Sequence, residues 1–140
     1  MNQPTPKYRG QCDCGSIQYQ FTDLPFDADY CHCRQCQRTT GSVVSVWMDF
    51  KVGQVQWLTA SPKEYASSEF IRRGFCEQCG CSVSYRHLQH PDYITLSIAT
   101  LDDPGLIEPK YHIYTSSQPS WLQIDDNCPK HRYQRNGEYD

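Results

Sequence analysis

Cysteine is the residue type in this chain best suited to chemistry, because nine of the 140 residues are cysteine. Eight of the nine fall into three clusters that read C-x-C, C-x-C-x-x-C and C-x-x-C-x-C: Cys12 and Cys14; Cys31, Cys33 and Cys36; Cys76, Cys79 and Cys81. Such spacings let sulfurs meet at one point, as a zinc ion with bonds of about 2.3 Å requires. Glycine lies beside two of the clusters, at Gly15 and Gly80, and it permits the positive φ that turns main-chain N–H groups toward metal-bound sulfur. The clusters therefore predict zinc binding rather than buried structural thiols or redox cysteines.

The number of ligands separates a structural zinc site from a catalytic one. A structural zinc ion takes four protein ligands, whereas a catalytic zinc ion takes three and keeps one position open. The first and last clusters offer four thiols for a closed site: Cys12, Cys14, Cys76 and Cys79. The middle cluster offers three ligands in six residues: Cys31, Cys33 and Cys36. Spacing alone does not decide this division, and an iron–sulfur cluster is a weaker alternative at either site.

A fourth ligand would make the second site structural as well. The candidates are His32, Cys81, Cys128 and a more distant histidine. His32 lies between two ligands, so we expect its side chain to point away from a metal that they share. Cys81 could join either site, but packing as a small buried side chain is its more common role.

The composition limits the class of protein. Nine cysteines cannot all form internal disulfides, and residues 1–10 lack the apolar segment of a secretory signal. We therefore expect a cytoplasmic, reducing compartment in which thiols stay free or bind metal. Lys and Arg number 13 against 16 Asp and Glu, for a formal net charge of −3, so we expect no nucleic-acid partner. The most apolar stretch, residues 43–48, is too short to span a bilayer, and nothing in the sequence indicates the oligomeric state.

Strands must position these cysteines, because apolar residues alternate along the chain and nowhere follow a convincing helical period. Six segments are predicted as strands: residues 16–21, 43–50, 52–58, 82–86, 93–98 and 110–115. The second and third meet at residues 51–53, where we expect a hairpin or a bulged continuation. A short helix is predicted at residues 34–39 and ends at Gly41. The sequence thus predicts a mainly β fold with a few short helical turns.

The chain shows no linker and no internal repeat that would divide it. We therefore predict one zinc-binding domain from residue 8 to residue 133. The polar segments 1–7 and 134–140 are predicted to be flexible tails.

Four segments around the cysteines form a recognisable set. They read GQCDCGSIQYQF from residue 10, YCHCRQCQRTTGS from residue 30, SSEFIRRGFCEQCGC from residue 67 and PKYHIYTSSQPSW from residue 109. In this order, over residues 10–121, they resemble the glutathione-dependent formaldehyde-activating enzyme family, and a domain of centromere protein V looks similar. The resemblance implies the Mss4-like fold, in which zinc holds together the loops of folded-over β-sheets.

The resemblance also implies site residues and an activity. It places a structural zinc ion on Cys12, Cys14, Cys76 and Cys79, and a catalytic zinc ion on Cys31, Cys33 and Cys36. The implied activity is that of a carbon–sulfur lyase: the reversible condensation of formaldehyde with glutathione to S-(hydroxymethyl)glutathione. The sequence departs from the family pattern at Cys81, where Thr or Ser usually follows the C-G pair.

Three thiolates suit this activity on physical grounds. Zinc with three thiolates carries a formal charge of −1 and polarises water less than a three-histidine site would. It is better suited to binding an external thiol as a thiolate, whose sulfur can attack an electrophilic carbon such as that of formaldehyde. The predicted partners are therefore small molecules, namely a thiol such as glutathione and an aldehyde.

Glutathione carries two carboxylates and an ammonium group, so its site needs cationic and hydrogen-bonding side chains. The first candidates follow the triplet directly: Arg38, Thr39, Thr40 and Ser42. Further candidates are Arg72, Arg73, Lys110 and His112, although a surface ion pair or a buried structural role is at least as common for such residues. Trp121 is predicted to pack in the core, with a role as a lid over the substrate as the alternative.

Two other functions fit the same motifs. The main alternative is a non-catalytic module in which both zinc ions are structural and the domain binds a protein or a thiol. A redox switch that uses Cys79 and Cys81 or Cys128 is a minor third possibility. The presence or absence of a fourth ligand beside the triplet distinguishes the enzyme from the module.

Overall fold

A computed structural model of the chain describes residues 7–135. A small sheet contains β1 (Tyr8–Gln11), β2 (Gln18–Phe21) and β5 (Gln56–Trp57). A larger sheet contains β3 (Asp27–Cys31), β4 (Ser45–Lys51), β6 (Lys63–Ala66), β7 (Ile71–Phe75), β8 (Ser82–His87), β9 (Tyr93–Ser97) and β10 (His112–Ile113), in the order β10-β3-β4-β9-β8-β7-β6. The pair β10–β3 is parallel and the other pairs are antiparallel. The helix α1 (Arg34–Thr40) follows β3, and short 3-10 turns lie at Val52–Gln54, Ile98–Thr100, Pro104–Leu106 and Thr115–Ser117.

The prediction of a mainly β fold with a few short helical turns is confirmed. The helix extends one residue beyond its predicted end, and Gly41 ends it in the left-handed conformation with φ 75°. The predicted tails lie outside the described residues, apart from Lys7, Gln134 and Arg135, and the extent of one domain over residues 8–133 stays a prediction. No helix within residues 7–135 is both long enough and apolar enough to cross a membrane.

The strand predicted over residues 52–58 is wrong in its extent, because only Gln56–Trp57 of it is a strand. Val52–Gln54 forms a 3-10 turn, which is closed by a 2.9 Å hydrogen bond from the Lys51 main-chain N–H to the Gln54 side chain. Only Gln56–Trp57 pairs, and it pairs with β2 in the small sheet. The chain therefore leaves the large sheet here and forms neither a hairpin nor a bulged strand. The predicted strand at residues 110–115 is also shorter, because only His112–Ile113 pairs in the large sheet.

The small sheet packs against the middle of the large sheet and forms the main core. Its largest buried side chains are Tyr19, Phe21, Met48, Phe50 and Leu96. The rings of Phe21 and Phe50 lie 4.8 Å apart, centroid to centroid. Because neighbouring residues of a strand point to opposite faces, the alternate residues of β3 and β4 face away from this core. That second face of the large sheet carries the cysteine triplet.

Candidate metal centres

Four cysteine sulfurs meet where the loop after β1 approaches the loop after β7. The Sγ atoms of Cys12, Cys14, Cys76 and Cys79 all lie within 4.8 Å of one another. The Cys14 sulfur lies 3.7 Å from that of Cys12 and 3.7 Å from that of Cys76. Tetrahedral zinc with bonds of about 2.3 Å separates its sulfurs by about 3.8 Å. The donor set and its spacing therefore fit one closed four-cysteine zinc site, called here the four-cysteine cluster.

Glycine turns the chain around this cluster. Gly15 and Gly80 have φ of 81° and 79°, as their positions beside cysteine predict. Their main-chain N–H groups donate to the carbonyls of Cys12 and Cys76, at 3.1 and 2.7 Å. The turn also brings the Ile17 N–H within 3.3 Å of the Cys12 sulfur. Although burial raises the pKa of the Cys12 thiol, the Ile17 N–H and neighbouring hydrogen bonds lower it to about 6, which favours the thiolate that a metal needs.

The second group forms where β3 ends and α1 begins, and it is called here the triplet. The Sγ atoms of Cys31, Cys33 and Cys36 lie within 4.8 Å of one another, with 3.5 Å between those of Cys31 and Cys36. Cys31 is the last residue of β3, and Cys33 caps the helix with its sulfur 3.2 Å from the Cys36 N–H. A strand end, a helix cap and a first helical turn thus place three sulfurs together, and this donor set fits a zinc ion held by three protein ligands.

Within residues 7–135, no fourth His, Cys, Asp or Glu joins the triplet at this spacing. His32 is fully buried, and its Nε2 atom lies 2.8 Å from Nδ1 of His112. Cys81 is half-buried and packs against the four-cysteine cluster without joining it. The half-buried Cys128 belongs to neither group. The two groups therefore differ in the number of ligands that they offer, four in one and three in the other.

Arg73 is the charged side chain that contacts the triplet. It extends from β7, is 4% exposed, and donates from Nη1 and Nη2 to the Cys36 sulfur at 3.6 and 3.5 Å. Its guanidinium carbon lies 5.1 Å from the centre of the Tyr85 ring. The pKa of the Cys36 thiol is lowered, first by hydrogen bonds from the Cys31 and Cys33 thiols and then by Arg73.

Comparison with known proteins identifies the family. The family model of the glutathione-dependent formaldehyde-activating enzyme matches residues 7–117, a range that includes both cysteine groups and Arg73. The chain belongs to this family. A Schizosaccharomyces pombe protein named as an uncharacterized lyase is 29% identical, over 86% of this chain and 94% of its own. The fold is similar to that of a solved Rhodobacter sphaeroides protein, with a TM-score of 0.57 at 20% identity, over 72% of this chain and 91% of that one.

This member of the formaldehyde-activating family also has a buried carboxyl group beside the triplet, which the sequence motifs do not indicate. Asp29 lies two residues before Cys31 on β3, is 7% exposed, and its Oδ1 atom has no hydrogen-bond partner. Burial, followed by the charges of Asp49 and Asp27, raises its pKa well above the ordinary range. The residues Asp27–Cys31 read D-A-D-Y-C, and this alternation would place Asp29 on the Cys31 face if the segment were recognised as a strand.

Hydrogen bonds connect three buried or half-buried polar residues next to the triplet: His32, His112 and Asp126. His112 donates or accepts at both ring nitrogens, because Nε2 lies 2.7 Å from Asp126 Oδ2 and Nδ1 lies 2.8 Å from His32 Nε2. The Tyr30 ring stacks on His112 at 4.2 Å between centroids. His112 is thus a satisfied core residue, which was the alternative expected for it beside substrate contact. These hydrogen bonds connect Asp126 in the C-terminal segment to His32, the residue between two triplet cysteines.

His32 gives this family member a specific pH dependence. Burial, and after it the charge of His112, lowers the His32 pKa from 6.5 to about 4. Between these values the unfolded chain takes up a proton that the folded chain does not, so acidification lowers the free energy of unfolding by up to about 1.4 kcal/mol per pH unit. We expect His32→Gln to remove this contribution. Urea unfolding from about pH 7 to pH 5, at saturating zinc, measures it.

The matched control for this prediction is His90→Gln, because His90 is exposed. That variant should keep the pH dependence of the wild-type chain. An unchanged pH slope in His32→Gln would show that His32 does not stay neutral in the folded protein.

The side chains predicted to contact substrate lie around α1 in varied settings. Arg38 is exposed, whereas Thr40 and Ser42 donate to the carbonyls of Cys36 and Val44, each at 2.7 Å. Thr39 donates to the Cys36 carbonyl at 3.3 Å. Both threonines therefore bond back to the first turn of the same helix. The contact of Arg38, Thr40 and Ser42 with substrate stays a prediction.

The remaining candidate residues lie in different environments. Arg72 donates to main-chain carbonyls of Ser68, Glu69 and Ile71, and Lys110 is exposed. The prediction that Trp121 packs in the core is wrong, because its side chain is 71% exposed. Trp121 lies in a segment of the described chain that forms no strand. An aromatic residue in such a segment need not face the core, so its residue type alone did not predict its burial.

Proposed function

We propose that this chain is a zinc-dependent carbon–sulfur lyase that condenses glutathione, or a related thiol, with formaldehyde or a related aldehyde. The observation that carries the proposal is the difference between the two cysteine groups, because one offers four ligands and the other three. A zinc ion on the four-cysteine cluster would be structural, and one on Cys31, Cys33 and Cys36 would be catalytic. The family to which the chain belongs is described by the same two substrates.

The residues of the triplet region prepare a site for a thiol. A zinc ion held by the triplet would lower the pKa of a substrate thiol and fix the position of its sulfur. Trp47 and Ile113 are buried and pack with Cys31 and Cys36, so they exclude water from one side of the triplet. Arg73 places a positive charge beside the Cys36 sulfur, where negative charge would collect.

The proposed reaction needs neither an oxidant nor a reductant. The thiolate sulfur of glutathione attacks the carbonyl carbon of formaldehyde, and a carbon–sulfur bond forms while the π electrons of the carbonyl move to oxygen. The proton that the thiol released then completes the hydroxyl group. The product is S-(hydroxymethyl)glutathione, and the reverse sequence is the lyase reaction.

An exchange measurement tests the proposal directly. Glutathione and formaldehyde also react without a catalyst, so exchange NMR should compare their interconversion with S-(hydroxymethyl)glutathione in the presence and absence of protein. We expect an added exchange rate in proportion to the concentration of the zinc-loaded protein. A thiol without the γ-glutamyl and glycyl groups, such as 2-mercaptoethanol, should be exchanged less.

A protein that adds nothing to the exchange rate with either thiol would contradict the proposed function. The alternative, a thiol-binding or protein-binding module with two structural zinc ions, would then be favoured. We also propose that the partners are small molecules and that the protein acts in the cytoplasm, where glutathione keeps thiols reduced.

A further inference from the structure

We propose that Arg73 is a positioning residue of the triplet, which fixes the Cys36 sulfur and compensates the negative charge of the three thiolates. The inference rests on the proposed function, since it takes the triplet as the site of the catalytic metal. Arg73 reaches the triplet from β7, which lies four places from β3 in the large sheet. A side chain from a distant strand thus contacts a group whose three cysteines all lie within residues 31–36.

Arg73 is held in place by its neighbours on the sheet. It is paired in register with Tyr85 on β8, and the Tyr85 ring lies under its guanidinium group at 5.1 Å. Stacking of this kind is favourable for a planar cation and fixes the direction of its N–H groups. Because the side chain is only 4% exposed, the fork of two Nη donors has little room to turn away from Cys36.

The contact with Cys36 completes a set of hydrogen bonds around that residue. The Cys36 N–H donates to the Cys33 sulfur at 3.2 Å, and its carbonyl accepts from Thr40 at 2.7 Å. Arg73 then contacts the sulfur itself through both Nη atoms. The main chain and the side chain of Cys36 are therefore each held, and Arg73 holds the side chain together with the Cys31 thiol, whose sulfur lies 3.5 Å from that of Cys36.

Charge gives Arg73 a second effect. Zinc with three thiolates has a formal charge of −1, and buried charge is costly unless it is paired. The guanidinium group brings the formal charge of the buried assembly to zero. When an anionic substrate sulfur binds, the formal charge of the buried assembly would become −1 instead of −2. Arg73 would therefore favour the binding of a thiolate substrate as well as that of the metal.

Cobalt substitution tests this inference without relying on activity. Co²⁺ bound to thiolates gives charge-transfer absorption that depends on the position and charge of the sulfurs. A Cys31→Ser protein would supply the spectrum of the four-cysteine cluster alone, for subtraction. For Arg73→Gln we expect the metal affinity of the triplet, measured by chelator competition, to fall about 10- to 100-fold and its absorption bands to shift.

Two further variants make the test specific. Arg73→Lys restores the charge but not the two-donor fork, so we expect partial recovery of affinity with bands still shifted. Arg72→Gln is the matched control, because the neighbouring Arg72 on β7 donates to the main-chain carbonyls of Ser68, Glu69 and Ile71 and, within residues 7–135, to neither cysteine group. It should bind cobalt with the affinity and spectrum of the wild-type protein.

Wild-type affinity and wild-type bands in both Arg73 variants would overturn the inference. If Arg73→Gln does not fold, Arg73→Lys alone decides, since loss of the fork must still shift the bands. The glutathione–formaldehyde exchange of the wild-type protein is measured on the same preparation. Its absence would count against the proposed function alone, whereas unchanged Arg73 variants beside an active wild type would count against this inference alone.

Discussion

Serine in place of Cys33 is expected to abolish catalysis and to leave the fold intact. Cys33 is both a proposed ligand of the triplet metal and the residue that caps α1, where its sulfur accepts from the Cys36 N–H. Serine is one of the best helix-capping residues, so Cys33→Ser keeps the cap and removes the ligand. We expect the loss of one of two zinc ions and a fall in exchange rate of about 1,000-fold or more.

The measurement must show whether the Cys33→Ser protein remains folded, because this separates a catalytic triplet from a structural one. Metal content, circular dichroism and exchange NMR should be recorded on one sample, with Cys128→Ser as the control because Cys128 belongs to neither cysteine group. The control should keep two zinc ions and full exchange. A Cys33→Ser protein that keeps both metals and its rate would contradict a catalytic triplet. One that unfolds as zinc is lost would show instead that the triplet is structural.

The three short cysteine clusters could be predicted from the sequence because the members of each lie close together in the chain, whereas the pairing of the first cluster with the last rested on the resemblance to the family. Residues 31–36 contain the whole triplet, and each half of the four-cysteine cluster lies within a single tight turn. Positive φ at Gly15 and Gly80 could be predicted for the same reason. In metal sites of this type the ligands come from short segments of sequence, so the geometry within each segment depends little on how the rest of the chain packs.

The contacts that Arg73 and His112 make could not be predicted, although both residues were candidates, because these contacts depend on strand order and on the path of the chain. Arg73 is 37 residues from Cys36 along the chain, and Asp126 is 14 residues from His112. Both contacts require the sheet order and the path of the C-terminal segment. The strand β3 escaped prediction because its pattern, D-A-D-Y-C, places carboxylates rather than apolar residues on a buried face. A functional site can break the alternation on which strand prediction rests.

Losing a cysteine of the four-cysteine cluster is expected to affect the whole protein, unlike losing a cysteine of the triplet. Cys76→Ser is expected to unfold the protein and release both metals together. Structural zinc contributes about 10–16 kcal/mol in small zinc domains, which is comparable to the whole free energy of unfolding of a typical domain, about 5–15 kcal/mol. Cys76 is 1% exposed and packs with Cys12, Ile17 and Val83 between the loops. Loss of circular dichroism and of both zinc ions measures the effect.

Cys81→Ser is the matched control, since Cys81 lies in the same loop, packs on the same cluster and is outside its four ligands. It should keep the fold and both zinc ions. The dependence between the two sites should run in one direction, because Arg73 lies three residues before Cys76 on the strand that enters the cluster. Loss of the cluster would displace Arg73 from Cys36 and weaken the triplet, whereas loss of the triplet leaves the cluster its four ligands. A folded Cys76→Ser protein that retains the triplet metal would contradict this order.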